Sequence, residues 1–188
     1  MSFRVLHVCT GNICRSPMTE HLMRAGLEQR GIHGISVESA GTMGFHGEPM
    51  QPYALSTLAS HDIDGTGFRG RELLAEHIAG AGLVLTASRE HRASVVVLQP
   101  RAAARTFTLR EFARLTSPVD PAALPSGDTD ARARALVRAA AGNRGLVPPA
   151  SPRDDDLEDP YRSPEPDFVS CAALVQQSLQ GPLDLLAG

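Results

Sequence analysis

The sequence predicts an α/β fold, a four-stranded parallel sheet with helices on both faces, and three observations carry that prediction. Short apolar runs with β-branched character alternate with stretches of helical period along the chain. The connections between them are short, as strand–helix–strand units require. Length and composition suit one globular domain: 188 residues, 42% hydrophobic and 21% charged, are enough to bury a single core.

Taken in order, Phe3 to Val8 (FRVLHV) is the first strand, and SPMTEHLMRAGLEQR forms a helix ending near Gly31, with Ser16 as its N-cap and Pro17 at the first helical position. Ile35 to Glu38 is a second short strand, closed by a turn at Ser39-Ala40-Gly41-Thr42. Gly44 to Pro52 is rich in glycine and proline. Pro52 to Ser60 forms a short helix with Leu55, Leu58 and Ala59 on one face, and HDIDGTG after it is a loop. Leu83 to Thr86 is the third strand, followed by a helix over SREHRASVVVL. Arg105 to Leu109 is the fourth strand, leading into one or two helical turns over LREFARLT. From Ser117 to about Arg153 the composition shifts to Pro, Gly and small residues around an Ala/Arg helix near Asp130 to Ala141, capped by Asp128, Thr129 or Asp130. Residues 117–153 are expected to be an insertion or flexible excursion, solvent-exposed, within one domain spanning 1–188. Phe168 to Leu179 is the last helix, with Cys171 as a small core residue.

Several function classes are excluded at this level. A net charge of −3 with no basic run carries no nucleic-acid signature. No stretch has the length of a membrane span, and the chain opens directly on a core strand, so neither membrane insertion nor a signal peptide is expected. Three cysteines, two of them in one loop, make no disulfide framework, and a reduced, cytoplasmic protein is expected. No metal or cofactor is implied, since His7, Cys9 and Cys14 lack a fourth ligand at suitable spacing.

The chemistry concentrates in Cys9-Thr10-Gly11-Asn12-Ile13-Cys14-Arg15-Ser16. A loop from a strand's C-terminal end to a helix N-terminus turns its backbone N–H groups toward one spot, which makes an anion site. A cysteine at the loop's first position lies among those dipoles, which favour thiolate over thiol. Arg15, six residues on, folds back over the same concavity and grips two oxygens of a tetrahedral anion. Gly11 permits close backbone approach, Asn12 braces the turn and Ser16 reaches the sulfur. The loop reads as a nucleophile facing a phosphate; a structural cysteine beside a capped helix is the alternative.

The string VCTGNICRSPM resembles the phosphate-binding loop of the low-molecular-weight protein tyrosine phosphatases. Three later stretches resemble the same family in the same order: Ser39-Ala40-Gly41-Thr42, GFHGEPM from Gly44 to Met50, and Glu158-Asp159-Pro160-Tyr161. The resemblance implies a flavodoxin-like three-layer fold and hydrolysis of phosphotyrosine through a cysteinyl-phosphate. It implies Cys9 as nucleophile, Arg15 as phosphate grip and Asp159 as general acid, with Asp156 as the backup acid. Carboxylates crowded around Asp159 are expected to help keep its proton. Thr10, Gly11, Asn12, Ile13, Cys14 and Ser16 line the phosphate site, while Phe45 and Tyr161 flank the substrate ring, with His46 on the rim. Ser39 is expected to bond Asn12. Phe68 stands where the family usually has a loop-bracing histidine, a departure that puts the bracing network in question, and His61 is the other ring available.

The resemblance also implies a phosphotyrosine protein as partner, bacterial tyrosine kinases among them, and a monomeric enzyme. Ile13, where the family's arginine phosphatases tend to carry threonine, favours phosphotyrosine. Cys14 stands near enough to Cys9 to form a reversible disulfide. Two other readings stay open: an arsenate reductase of the same fold, which needs further relay cysteines where only Cys171 lies outside the loop, and a catalytically weak phospho-ligand binding module.

Overall fold

The computed structural model describes residues 2–188. Four parallel strands, β1 (Phe3–Cys9), β2 (Ile35–Gly41), β3 (Leu83–Thr86) and β4 (Thr106–Thr108), pair in the order β2-β1-β3-β4. This is the flavodoxin-like three-layer arrangement, with its switch point between β1 and β3. Every residue of β3 and β4 is buried, as strands covered on both faces must be.

One face packs Phe3, Val5, Leu83, Leu85 and Phe107 against α1 (Arg15–Gln29), α5 (Leu109–Thr116), α6 (Thr129–Gly142) and α7 (Glu165–Ala187). The other packs Leu6, Val8 and Val84 against Ile78 of α3 (Ala75–Gly80) and Val95 of α4 (Arg89–Leu98). The remaining helix, α2 (Pro52–Ala59), lies beside α1 and α7. Among the described residues no helix is long and apolar enough to cross a membrane.

The departures from the sequence reading have identifiable causes. The first helix starts at Arg15 with Cys14 as a cap lacking a side-chain bond, because the Ser16 hydroxyl is engaged elsewhere. The expected turn at Ser39 to Gly41 is the end of β2, extended by pairing Ser39 with His7 and Gly41 with Cys9. A Cβ on Gly41 would lie 2.4 Å from the Thr10 carbonyl oxygen, so only glycine lets β2 come this close to the loop. The six-residue α3, too short for a periodic signal, is held by Ile78 in the core.

α7 runs past Leu179 through Gly181 and Pro182 to Ala187. An interior proline costs about 3 kcal/mol, but Pro182, Leu183, Leu185 and Leu186 are all buried, and each such leucine offsets roughly 1.5–3 kcal/mol. Within 117–153 it is α6 that packs against the body of the fold, while the stretch 120–128 before it, apart from Leu124, and 150–154 after it are exposed. Asp128 caps α6, Ala133, Leu136 and Ala140 are buried, and the buried Arg132 donates to the carbonyls of Leu124, Pro125 and Leu185.

Candidate active site

The loop leaves the carboxyl end of β1, and its carbonyls are turned outward. Those of Cys9, Thr10, Gly11 and Ile13 accept from the backbone N–H groups of Thr42, Met43, Phe45 and Gln51. Among the described residues, no backbone N–H from Gly11 to Cys14 is donated to a protein carbonyl. These dipoles face inward, the arrangement that binds an oxyanion. Asn12 makes the turn by adopting a φ of 54°, a left-handed conformation that asparagine tolerates.

Cys9 is 2% exposed, and its Sγ lies 2.9 Å from Ser16 Oγ. Asn12 Nδ2 donates to that same Oγ at 2.9 Å, which leaves the serine proton free to point at the sulfur. Ser16, one helical residue past Arg15, thus supports the sulfur instead of capping the helix.

Arg15 is buried, yet its guanidinium reaches three acceptors. Nη1 donates to the Leu157 carbonyl at 3.2 Å; Nη2 donates to Thr10 Oγ1 at 3.4 Å and to Asp159 Oδ2 at 2.6 Å. Its buried Nε has no protein partner among the described residues. Asp159 itself is exposed, with Oδ1 accepting from the Tyr161 backbone N–H at 3.2 Å. The loop that carries it is tethered at the end of β3, where Leu157 N–H donates to the Ala87 carbonyl.

The expected crowd of carboxylates around Asp159 does not form. Asp155 pairs with Arg114 at 2.8 Å, and Asp156 pairs with Arg89 at 2.9 Å. Asp156 is therefore no backup acid: burial pushes its carboxyl up, but the Arg89 guanidinium and backbone N–H more than offset this and hold it below the usual range.

On the rim, Phe45 and Tyr161 are 48% and 38% exposed. The Phe45 ring lies over Gly11, where an added Cβ would come within 2.9 Å of it and 3.4 Å of Ile13. His46 is exposed on the same rim segment, and Cys14 is buried, its thiol pushed up to about 12 by burial and by neighbouring Cys9. Cys9, Cys14 and Cys171 are all free thiols, and Cys171 lies in the core of α7 with its thiol likewise pushed up to about 12 by burial.

The bracing network closes without the histidine that Phe68 replaces. Asn12 Nδ2 donates to Ser39 Oγ at 2.8 Å, and Ser39 Oγ donates to Glu20 Oε2 at 2.5 Å, while the Arg71 backbone N–H donates to Asn12 Oδ1 at 2.9 Å. Phe68 instead packs edge-to-face with His21 at 6.0 Å. His61 is exposed and lines a groove with Gly26 and Arg30, so it does not brace the loop.

Sequence reasoning missed Glu20 and His91. Glu20 follows Ser16 by four residues on α1, so the two share a face; that polar pair on the buried side was its one signal. His91 has no local signal, since only packing of α4 brings it to Thr10.

Residues 4–120 match the family model described as low molecular weight phosphotyrosine protein phosphatase. The chain is 35% identical over 117 residues to the low molecular weight protein-tyrosine-phosphatase Etp of Escherichia coli K12, covering 62% of this chain and 76% of that one. It is 38% identical over 112 residues to a protein-arginine-phosphatase of Geobacillus stearothermophilus, covering 60% and 72%. The crystal structure of the low molecular weight protein tyrosine phosphatase from T. tengcongensis superposes with a TM-score of 0.71 at 28% identity, covering 97% of this chain and 99% of that one.

Proposed function

This chain belongs to the low molecular weight phosphotyrosine protein phosphatase family and is a protein tyrosine phosphatase; from that premise we propose that Cys9, Arg15 and Asp159 carry the reaction. The Cys9 sulfur attacks phosphorus as the thiolate while Arg15 and the loop N–H groups hold the phosphoryl oxygens. Asp159, released from Arg15 and protonated, gives its proton to the departing phenolic oxygen. Asp159 then takes a proton from water as that water attacks the cysteinyl-phosphate. The sulfur leaves as thiolate, with the Ser16 hydroxyl donating to it. The observation that carries this reading is the loop itself, with its N–H groups turned inward around a sulfur 2.9 Å from Ser16 Oγ and with the Arg15 side chain folded beside it.

Phe45, Ile13 and Tyr161 give the mouth an apolar character that suits an aromatic ester. The buried, high-pKa Cys171 argues against an arsenate-reducing relay, which needs a mobile thiol. The closed Asn12–Ser39–Glu20 network argues against a weakened binding module. The natural partner on this reading is a phosphotyrosine protein of the bacterial cytoplasm, tyrosine kinases among them. On the same reading 117–153 is part of a single domain, and the protein acts as a monomer.

The test is phosphate release from a phosphotyrosine peptide and a phosphoarginine substrate. Hydrolysis of the tyrosine ester is expected, abolished in Cys9→Ser and reduced by roughly 10²–10⁴-fold in Asp159→Asn. Preference for phosphoarginine, or an active Cys9→Ser protein, would overturn the reading.

A further inference from the structure

The wall of the pocket holds one ordered side chain that the reaction so far does not use. His91, on the first turn of α4, is buried, with Nε2 2.8 Å from Thr10 Oγ1 and Nδ1 2.7 Å from Ser88 Oγ. Arg15 decides which way the protons run in this row. A guanidinium has only hydrogens to give, so Thr10 Oγ1 accepts from Arg15 Nη2. If Nε2 also carried a proton, the Thr10 hydroxyl would accept from both sides and its own hydrogen would be left without an acceptor.

Sending the Thr10 proton to Nε2 satisfies Thr10 and turns the Nε2 lone pair toward the Arg15 charge, and it leaves the hydroxyl hydrogen of the half-buried Ser88 to face solvent. It leaves the imidazole proton on Nδ1, donated to Ser88 Oγ, which also caps α4 by accepting the His91 backbone N–H. This arrangement needs a neutral ring. Burial and then the Arg15 charge push His91 down to about 4, against the opposing pull of Asp159 and Asp156.

We propose that His91 is a positioning residue for the phosphate grip: by taking the Thr10 proton it turns a Thr10 lone pair toward Arg15 and keeps the guanidinium in the pocket when Asp159 leaves it. Asp159 has to let go of Arg15 to deliver a proton. After that, Nη2 retains Thr10 as its protein acceptor and Nη1 retains the Leu157 carbonyl. A grip held in place before the phosphate arrives avoids part of the ordering cost of a long side chain. The inference rests on Arg15 as the residue that holds the phosphate.

The experiment compares the full chain with His91→Leu, His91→Gln and Thr10→Val. It reads kcat/KM on aryl phosphates of differing leaving-group pKa, inhibition by inorganic phosphate, and thermal unfolding. In His91→Leu, kcat/KM and inorganic phosphate affinity are expected to fall together by about tenfold, the size of one lost hydrogen bond. The leaving-group dependence stays that of the parent, because Asp159 is untouched. His91→Gln, whose side-chain amide oxygen can accept the same proton, restores most of the loss. Adding His91→Leu to Thr10→Val costs nothing further, because both remove one interaction.

Unchanged phosphate affinity in His91→Leu overturns the proposal, as does an equal loss in His91→Gln or additive losses in the double variant. If His91→Leu fails to fold, His91→Phe fills the space without an acceptor and gives the same readout. Arg15→Ala separates the two levels of inference. Parent-like activity there overturns the site itself, whereas an inactive Arg15→Ala beside an unaffected His91→Leu overturns only the role of His91.

Discussion

Arg15 Nη2 lies 2.6 Å from Asp159 Oδ2, so the proposed phosphate grip and the proposed general acid hold each other across 144 residues of sequence. The guanidinium is buried, while about half of the Asp159 side chain is exposed. The carboxylate is therefore the partner that can swing into solvent. An incoming phosphate dianion competes with Asp159 for Nη2.

The competition has a measurable consequence. Asp159→Asn, the variant proposed to lower turnover, is expected to strengthen inhibition by inorganic phosphate by about two- to fivefold, the scale of a half-exposed ion pair removed from the competition. Inhibition constants measured at pH 7 check this. Weaker phosphate binding in the variant would mean that the carboxylate does not contend for Arg15.

Ser39 and Phe68 make opposite predictions for the bracing network. Ser39→Ala leaves the buried Glu20 carboxyl without its 2.5 Å donor and Asn12 Nδ2 with one acceptor fewer. A loss of about 1–3 kcal/mol in urea unfolding is expected, together with reduced kcat/KM. Phe68→His is expected to change kcat/KM by less than about twofold, since the Asn12–Ser39–Glu20 network is already closed without it. A large gain in activity from Phe68→His would show that the network is incomplete as it stands.

His7 and His91 make the fold acid-sensitive. Burial, reinforced by Arg24, holds His7 down to about 3, and burial with Arg15 holds His91 down to about 4, both from an ordinary 6.5. The unfolded chain therefore binds protons near 6.5 that the folded chain refuses. Stability is full above that value and falls as the pH drops toward 4, by about 1.4 kcal/mol per pH unit for each ring. Urea midpoints taken from pH 7 to pH 5 check the slope. His7→Phe, which fills the same place beside Met23 without a titrating group, is expected to flatten it.

The legible part of this molecule was the part whose geometry is local. Cys9, Gly11, Asn12, Arg15 and Ser16 lie within one strand end, one loop and one helical turn, where bond geometry brings them together. The four strands were legible because burial on both faces leaves continuous apolar runs. Boundaries failed where a distant partner set them: β2 reaches Gly41 because β1 pairs with it, and α7 continues through Pro182 because the core accepts the leucines beyond.

The acidic stretch before Tyr161 shows the same division. From sequence it is a crowd of like charges, but the fold gives Asp155, Asp156 and Asp159 to three different arginines. The sequence by itself determined the fold class and the strand–loop–helix unit that carries Cys9 and Arg15. Tertiary structure alone decided which carboxylate meets Arg15, that Ser39 and Glu20 close the Asn12 network, and that His91 stands behind Thr10. Hydrogen bonds and ion pairs act over a few ångströms, and residues 144, 19 and 81 positions apart come within that range only when helices pack on the sheet.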